Sequence, residues 1–335
     1  MQANGARMSV ETPATNQAPQ VPTASTPLEG QSAAPKVLRR ALPQVGWIGT
    51  GIMGQSMAGH LLKAGYPLHV YNRSKPKAQA LIEAGAQWHD DPISLAAQCD
   101  VVCTMLGYPS DVESLYWGDM GLDTPNRASL LGAIPKGGLL IDFTTSSPAL
   151  ARRIADAADA LGLSSLDAPV SGGDIGARQA KLSIMVGGQA AAFERAQPLL
   201  ACMGQQIVLQ GPAGFGQHAK MCNQIVIAST LMGVCEAIAY MNRSGLDPSL
   251  VMQSIGSGGA ASFQLNTVGA KILRGDFEPG FFMEHFVKDM SIALEEAERM
   301  QLSLPGLSQA KALYDRLMAQ GYGRRGTQAL LRAYD

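Results

Sequence analysis

The sequence predicts an α/β fold built on a parallel-rich sheet and followed by an all-helical C-terminal part. Three observations predict it. From Gln44 to Gly211 short apolar runs alternate with helical patterns. The first of these junctions carries closely spaced glycines. After Gly211 the strand signals stop and helical spacing runs to the end.

The chain has 335 residues, enough for about two domains. It carries 26 Lys and Arg against 27 Asp and Glu, a net charge of −1. No basic excess exists to grip nucleic acid or an anionic membrane, so neither is expected as a partner. With 46% hydrophobic and 16% charged residues, it has the composition of a well-buried globular protein. Residues 1–43 differ. They hold six of the 19 prolines and no aromatic, so they are expected to form a disordered tail. No apolar stretch follows a basic start, and no secretory signal is expected. The five cysteines are odd in number and form no C-x-x-C pair, and the five histidines form no H-E-x-x-H. Both facts disfavour a disulfide scaffold or a metal site and point to a reducing, cytoplasmic setting.

The elements follow in order. Val45–Gly49 reads as a short buried strand, and Ile52–Ala64 as a helix with Met53, Met57 and Leu61 on one face and Gly65 closing it. Leu68–Asn72 and Lys75–Ala84 repeat the strand and helix. Asp100–Met105 and Gly138–Phe143 read as strands and Pro148–Leu161 as a helix. Leu182–Val186 and Ile207–Leu209 are strands around a helix near Ala190–Leu200. Units of this length imply parallel strands joined by crossover helices. Phe215–Arg243 reads as one long helix, unusually apolar from Ile225 to Cys235. Glu236 ends that run after eleven residues, short of the ~20 a membrane span needs. A helix buried between domains or subunits is expected instead. Asp247 then caps a helix with Pro248 in its first turn. Leu307, Ala310, Leu313, Tyr314 and Leu317 give helical spacing near the end. The expected division is 44–211 and 212–335.

Gly49-Thr50-Gly51-Ile52-Met53-Gly54 is G-x-G-x-x-G, placed where a strand ends and a helix opens. One glycine makes the tight turn, one lets the backbone approach a pyrophosphate, and one lets helix and strand pack. The helix N-terminus offers free N–H groups to the anion. The motif in this context marks a Rossmann-type dinucleotide-binding domain, with Gly49, Gly51, Ile52, Met53 and Gly54 at the cofactor. On the motif alone a methyltransferase loop competes. NAD enzymes place an acid at the end of the second strand to hold the ribose hydroxyls. This chain has Tyr71-Asn72-Arg73-Ser74-Lys75 there, with Lys77 beyond. Arg73 can form charge-assisted bonds to a 2′-phosphate. NADP is therefore the expected cofactor, NAD the alternative, and Asn72, Arg73 and Ser74 are further cofactor residues.

Two more segments carry chemistry. One runs from Asp167-Ala168-Pro169-Val170-Ser171-Gly172-Gly173 to Val186-Gly187-Gly188, and the other from Gly214 through Lys220-Met221-Cys222-Asn223-Gln224. Ser171-Gly172-Gly173 supplies a hydroxyl and unshielded N–H groups suited to a carboxylate, although a structural turn reads the same way. Lys220 and Asn223 lie three apart and share a helix face. A lysine in an apolar helix start is desolvated, which lowers its pKa and lets it exchange protons. Asn223 can donate to and accept from an oxygen. An ordinary first-turn lysine is the plainer reading of the spacing.

With Gly49–Gly54 these segments resemble the β-hydroxyacid dehydrogenase family, which includes 3-hydroxyisobutyrate dehydrogenase and tartronate semialdehyde reductase. The resemblance covers about 44–335. It implies that Lys220 is the catalytic acid/base, that Asn223 holds substrate, and that Ser171, Gly172 and Gly173 bind it. Met105-Leu106-Gly107-Tyr108-Pro109 resembles the family's cofactor loop, usually Met-Leu-Pro, from which Gly107 departs. Thr145 matches a threonine near the nicotinamide, and Lys288 a second lysine reaching toward cofactor and substrate. Gln224 stands where some members have a second asparagine, and the tartronate-semialdehyde-reductase-like members share this chain's Lys-x-x-Asn-Gln. His285 has no match in the family and is read as a packed or exposed histidine. Gly256-Ser257-Gly258-Gly259 is expected as a flexible loop beside the pocket. The resemblance implies hydride transfer between NADP(H) or NAD and a small β-hydroxy acid or its semialdehyde, in a homodimer or homotetramer. Two rivals remain at this point. An imine reductase usually carries Asp or Tyr at the Lys220 position, and a catalytically silent dinucleotide-binding protein would need the lysine lost.

Overall fold

All four residues of the first strand are buried, as expected of a central strand covered on both faces. The computed structural model describes residues 42–118 and 129–335. Apart from Leu42 and Pro43, the expected disordered tail lies outside them. The strands are β1 (Val45–Ile48), β2 (Leu68–Tyr71), β3 (Gln87–Trp88), β4 (Val101–Thr104), β5 (Leu139–Asp142), β6 (Ser164–Asp167), β7 (Val170–Ser171), β8 (Leu182–Gly188) and β9 (Gly204–Gly211). Their order is β3-β2-β1-β4-β5-β6-β8-β7, with β9 beside β8. From β3 to β6 all pairings are parallel. β6 and β7 meet β8 antiparallel, while β9 meets it parallel. Chain order reverses between β1 and β4, and ligands of such sheets bind in the crevice beyond the strand ends at that reversal.

The helices of the sheet region are α1 (Ile52–Lys63), α2 (Gln79–Glu83), α3 (Pro92–Ala96), α4 (Pro109–Trp117), α5 (Leu130–Ala133), α6 (Pro148–Ala160), α7 (Gly173–Arg178) and α8 (Ala190–Leu200). The expected helix Lys75–Ala84 is a 3₁₀ turn, Lys75–Ala78, before α2. On one face of the sheet Trp47, Met57, Leu61 and Ile141 are buried together, and on the other Leu95, Tyr116, Leu140 and Ile154.

The C-terminal part is helical: α9 (Phe215–Ser244), α10 (Pro248–Ile255), α11 (Ala270–Leu273), α12 (Met283–Arg299) and α13 (Pro305–Ala319), with a π-helical turn at Gln264–Gly269. Asp247 caps α10 through the N–H of Ser249, as the sequence predicts. Residues 256–260 form a turn after α10. Leu231, Ile238, Phe286, Met290 and Tyr314 form the core of this part. Leu42–Asp335 is one compact unit, so the expected boundary at 211/212 marks a change of element type within it. One expectation is corrected. By length and composition α9 is apolar enough to cross a membrane, with a mean hydropathy of 1.5 in a window that is 39% buried. Glu236 does not end the apolar stretch, because one charge leaves the mean over an 18-residue window of this helix high. Within the fold this helix buries Gln217, Lys220 and Gln224, and each of the three is hydrogen-bonded to the protein.

Candidate active site

The turn from β1 to α1 gives each glycine a separate task. Gly49 has φ +99°, and a Cβ on it would lie 2.2 Å from the Met105 carbonyl oxygen. A Cβ on Gly54 would lie 2.0 Å from the Gly49 oxygen, so this glycine permits the helix to pack. A Cβ on Gly51 would meet nothing within 4 Å. That open approach, with no side chain capping α1, leaves N–H groups and space for a pyrophosphate. The Ile52 side chain is exposed, and Met53 packs on the core. Asn72 braces the turn: its Oδ1 accepts from the Thr50 N–H at 3.0 Å and its Nδ2 donates to the Ser74 carbonyl at 2.9 Å. Arg73 and Ser74 are exposed. The residues present fit a dinucleotide.

The neighbouring segments meet at the ends of β4 and β5. The Met105 N–H bonds the Ile48 carbonyl at 2.9 Å, and the Leu106 N–H bonds Thr144 Oγ1 at 2.9 Å. Asp142, at the end of β5, accepts from Thr104 Oγ1 at 2.8 Å and from the Thr144 N–H at 3.0 Å. Burial pushes its carboxyl up to about 6.

Across the crevice lies Lys220, 7% exposed. Its Nζ donates to the Val170 carbonyl at 2.9 Å. Burial, helped by the Lys288 cation and opposed by Asp289, brings its pKa down to about 8. Beside it Ser171 Oγ donates to Asn223 Oδ1 at 3.1 Å, and Asn223 Nδ2 donates to Gln224 Oε1 at 2.7 Å. Gln224 Nε2 then donates to Asp289 Oδ2 at 2.6 Å. Asp289 Oδ1 pairs with Lys288 Nζ at 2.9 Å, and the same Nζ donates to the Thr145 carbonyl at 2.6 Å. One chain of contacts therefore links Ser171 to Thr145, with Lys220 next to it. Gly172 and Gly173 have φ +133° and +62°, conformations open to glycine and strained for other residues.

A family model described as the NAD binding domain of 6-phosphogluconate dehydrogenase matches residues 44–211. One described as NAD-binding of NADP-dependent 3-hydroxyisobutyrate dehydrogenase matches residues 214–334. Together they cover nearly all of residues 44–334. The chain belongs to the β-hydroxyacid dehydrogenase family. It is an NAD(P)-dependent oxidoreductase acting on hydroxy acids. It is 51% identical to the uncharacterized oxidoreductase YkwC of Bacillus subtilis, over 87% of this chain and 98% of that one. It is 49% identical to the probable 3-hydroxyisobutyrate dehydrogenase-like 1, mitochondrial, of Arabidopsis thaliana, over 87% and 85%. The 2-hydroxy-3-oxopropionate reductase of Escherichia coli is 36% identical over 87% and 97%. The NAD-dependent L-serine dehydrogenase of Pseudomonas aeruginosa is 36% identical over 88% and 98%. Among solved structures, Mycobacterium tuberculosis 3-hydroxyisobutyrate dehydrogenase with L-serine superposes at a TM-score of 0.77, with 28% identity over 87% and 98%. An imine reductase from Myxococcus stipitatus, 20% identical at a TM-score of 0.57 over 88% and 100%, shares the fold alone.

In this dehydrogenase the residues expected from the sequence fall into two groups. Ser171, Lys220, Asn223, Lys288 and Thr145 come together as described, while Asn72, Arg73 and Ser74 form a separate group at the end of β2. Asp167, quoted in a motif without a role, and Gln217, inside the Gly214–Gln224 segment, prove structural. Asp167 accepts from the N–H groups of Gly214 and Gln217 at 2.8 Å each, capping α9 from a remote strand. Burial pushes its carboxyl up to about 6. Gln217, fully buried, donates from Nε2 to the Thr144 carbonyl at 2.8 Å and accepts from the Ser146 N–H at 2.9 Å. A buried glutamine in an apolar helix start is the one signal that could have marked this tie. Asp289, 1% exposed, joins Gln224 to Lys288, and its position directly after Lys288 was its only sequence cue.

Proposed function

We propose that the chain interconverts a short β-hydroxy acid and its semialdehyde with NADP(H), using Lys220 as general acid/base. The observation that carries this reading is the Lys220 ammonium, buried, lowered to a pKa of about 8 and standing beside Ser171 and Asn223. A nicotinamide cofactor held at the Gly49–Gly54 turn would supply hydride exchange with the carbinol carbon. In oxidation neutral Lys220 Nζ takes the hydroxyl proton as the carbonyl forms, and in reduction the ammonium gives it back. Ser171, Gly172 and Gly173 hold the substrate carboxylate with the Lys288 cation, and Asn223 orients the reacting oxygen. Asp289 and Gln224 fix Lys288 and Asn223.

Preference for NADP(H) rests on the exposed Arg73, for which no hydrogen bond or ion pair is found among the described residues, at a strand end without an acid. The Pseudomonas relative named as NAD-dependent makes NADH the necessary control. Exposed Val226 and Tyr240 on α9, with Leu250 and Phe263 nearby in sequence, support a homodimer or homotetramer. Five free thiols support a reducing, cytoplasmic setting. The test is a panel of short semialdehydes and β-hydroxy acids with NADPH and NADH in parallel. Turnover favouring NADPH on at least one of them is expected, and no turnover on any would overturn the reading.

A further inference from the structure

The sequence leaves His285 without a role, yet the structure sets it at a seam. It precedes Lys288 by three on α12, so the two side chains share a face. Its ring lies 5.3 Å from that of Tyr108, in the cofactor loop, 6.5 Å from Phe281 and 5.9 Å from Phe282. A Cβ on Gly107 would lie 3.6 Å from His285 Cε1. The loop residue that departs from the family pattern thus faces the α12 residue that has no match in it.

His285 Nδ1 is sealed from solvent, and no hydrogen-bond partner is found for it among the described residues. Buried polar atoms are nearly always bonded, so an unpaired Nδ1 between the cofactor loop and the Lys288 helix calls for a partner that a bound molecule can supply. Burial, with the Lys288 cation behind it, lowers the pKa of His285 against Glu284 and Asp289, which favours the neutral ring. A neutral imidazole offers one donor and one acceptor, which suits a hydroxyl, while the cation of Lys288 suits a carboxylate.

We propose that His285 is a specificity-determining residue whose buried Nδ1 bonds a hydroxyl on the side group of the substrate. The proposal rests on the hydroxy-acid reading above. It makes hydroxyl-bearing semialdehydes better substrates than methyl-bearing ones, because an analogue lacking the hydroxyl leaves the imidazole unpaired.

The test measures kcat/KM for NADPH-driven reduction of 2-hydroxy-3-oxopropionate and 2-methyl-3-oxopropionate. The enzymes are the unmutated protein, His285→Leu and His285→Asn, whose amide reaches the Nδ1 position. The unmutated enzyme should favour the hydroxylated substrate by at least about tenfold. In His285→Leu that preference should collapse through loss on the hydroxylated substrate alone, and His285→Asn should restore part of it. Melting temperature and NADPH affinity check that the variants fold. Equal kcat/KM for the two substrates in the unmutated enzyme overturns the proposal, as does a parallel fall on both in His285→Leu. Reduction of neither by the unmutated enzyme overturns this proposal, whereas the reading on which it rests falls only if the whole panel above fails.

Discussion

Replacing Lys220 by alanine tests the proton transfer at its source. A lysine that titrates near 8 is roughly one-tenth neutral at pH 7, whereas one at the ordinary 10.5 is neutral in about three molecules in 10⁴. Burial therefore raises the working base form by roughly 300-fold, within the ~10²–10⁴-fold that general acid–base catalysis supplies. Lys220→Ala should lose ~10²–10⁴-fold in kcat at saturating substrate. NADPH affinity, read by fluorescence titration, should hardly change, because the glycine cradle lies at α1. Lys220→Arg should not rescue, since a guanidinium keeps its proton near neutral pH. The sign of the pH dependence also follows. Oxidation needs the neutral amine, so its rate should rise with pH to a midpoint at or below about 8, the positive nicotinamide pushing it lower. Reduction should fall across the same range. The assay is steady-state absorbance of NADPH from pH 6 to 10 in both directions. Activity of the alanine variant within tenfold of the parent, or the same midpoint in that variant, would refute the assignment and point to Lys288.

Arg73→Ala should weaken NADPH by roughly ten- to a hundredfold, the size of a lost charged hydrogen bond, and leave NADH nearly unchanged; equal losses on the two cofactors would remove Arg73 from cofactor choice. Asp167→Ala leaves the Gly214 and Gln217 N–H groups without their acceptor and should cost ~2–5 kcal/mol in urea unfolding, so a loss under about 1 kcal/mol would show that water replaces the carboxylate. His69 Nδ1 and His89 Nε2 share a hydrogen bond of 2.8 Å, and burial lowers the pKa of both. Below the ordinary histidine range the unfolded chain then binds more protons than the folded one, so stability should fall as pH drops from about 7 to 5. Comparing urea midpoints across that range, His89→Gln should flatten the decline, and parallel curves for parent and variant would count against it.

Legibility followed the distance over which a residue acts. Gly49, Gly51 and Gly54 each do something local, and the strand and helix around them were readable for that reason. Lys220 and Asn223 share a helix face three residues apart, so their pairing was readable too. By contrast β3 has two residues and α3 five, too few for either period to show. Ser164–Asp167 is half-exposed at its start, and α7 carries two glycines in six residues, so neither advertised its state. The ties that hold the site were the least legible. Asp167 reaches residues 47 and 50 positions away, Gln217 reaches 71 and 73, and Gln224 meets Asp289 across 65. No periodicity in the chain encodes partners at those separations, which are set by the tertiary fold.

The anchoring of α9 has a mechanical consequence. Its first turn is bolted to the sheet by Asp167 and to the Thr144–Ser146 stretch by Gln217. A Cβ on Gly216 would lie 2.5 Å from the Met185 carbonyl oxygen, so that turn has no slack against β8. Lys220 stands less than one turn beyond Gln217 and is itself tied to Val170. It therefore belongs to the frame of the nucleotide floor, although its helix continues into the other half of the molecule. Lys288 and His285 ride on α12 instead, joined to that floor by the contacts at Thr145 and Tyr108. Displacement of α12 would loosen those two side chains first, while Lys220 kept its registration with the floor. In such a lever, movement of α12 would change how firmly a molecule is gripped and leave Lys220 where it stands.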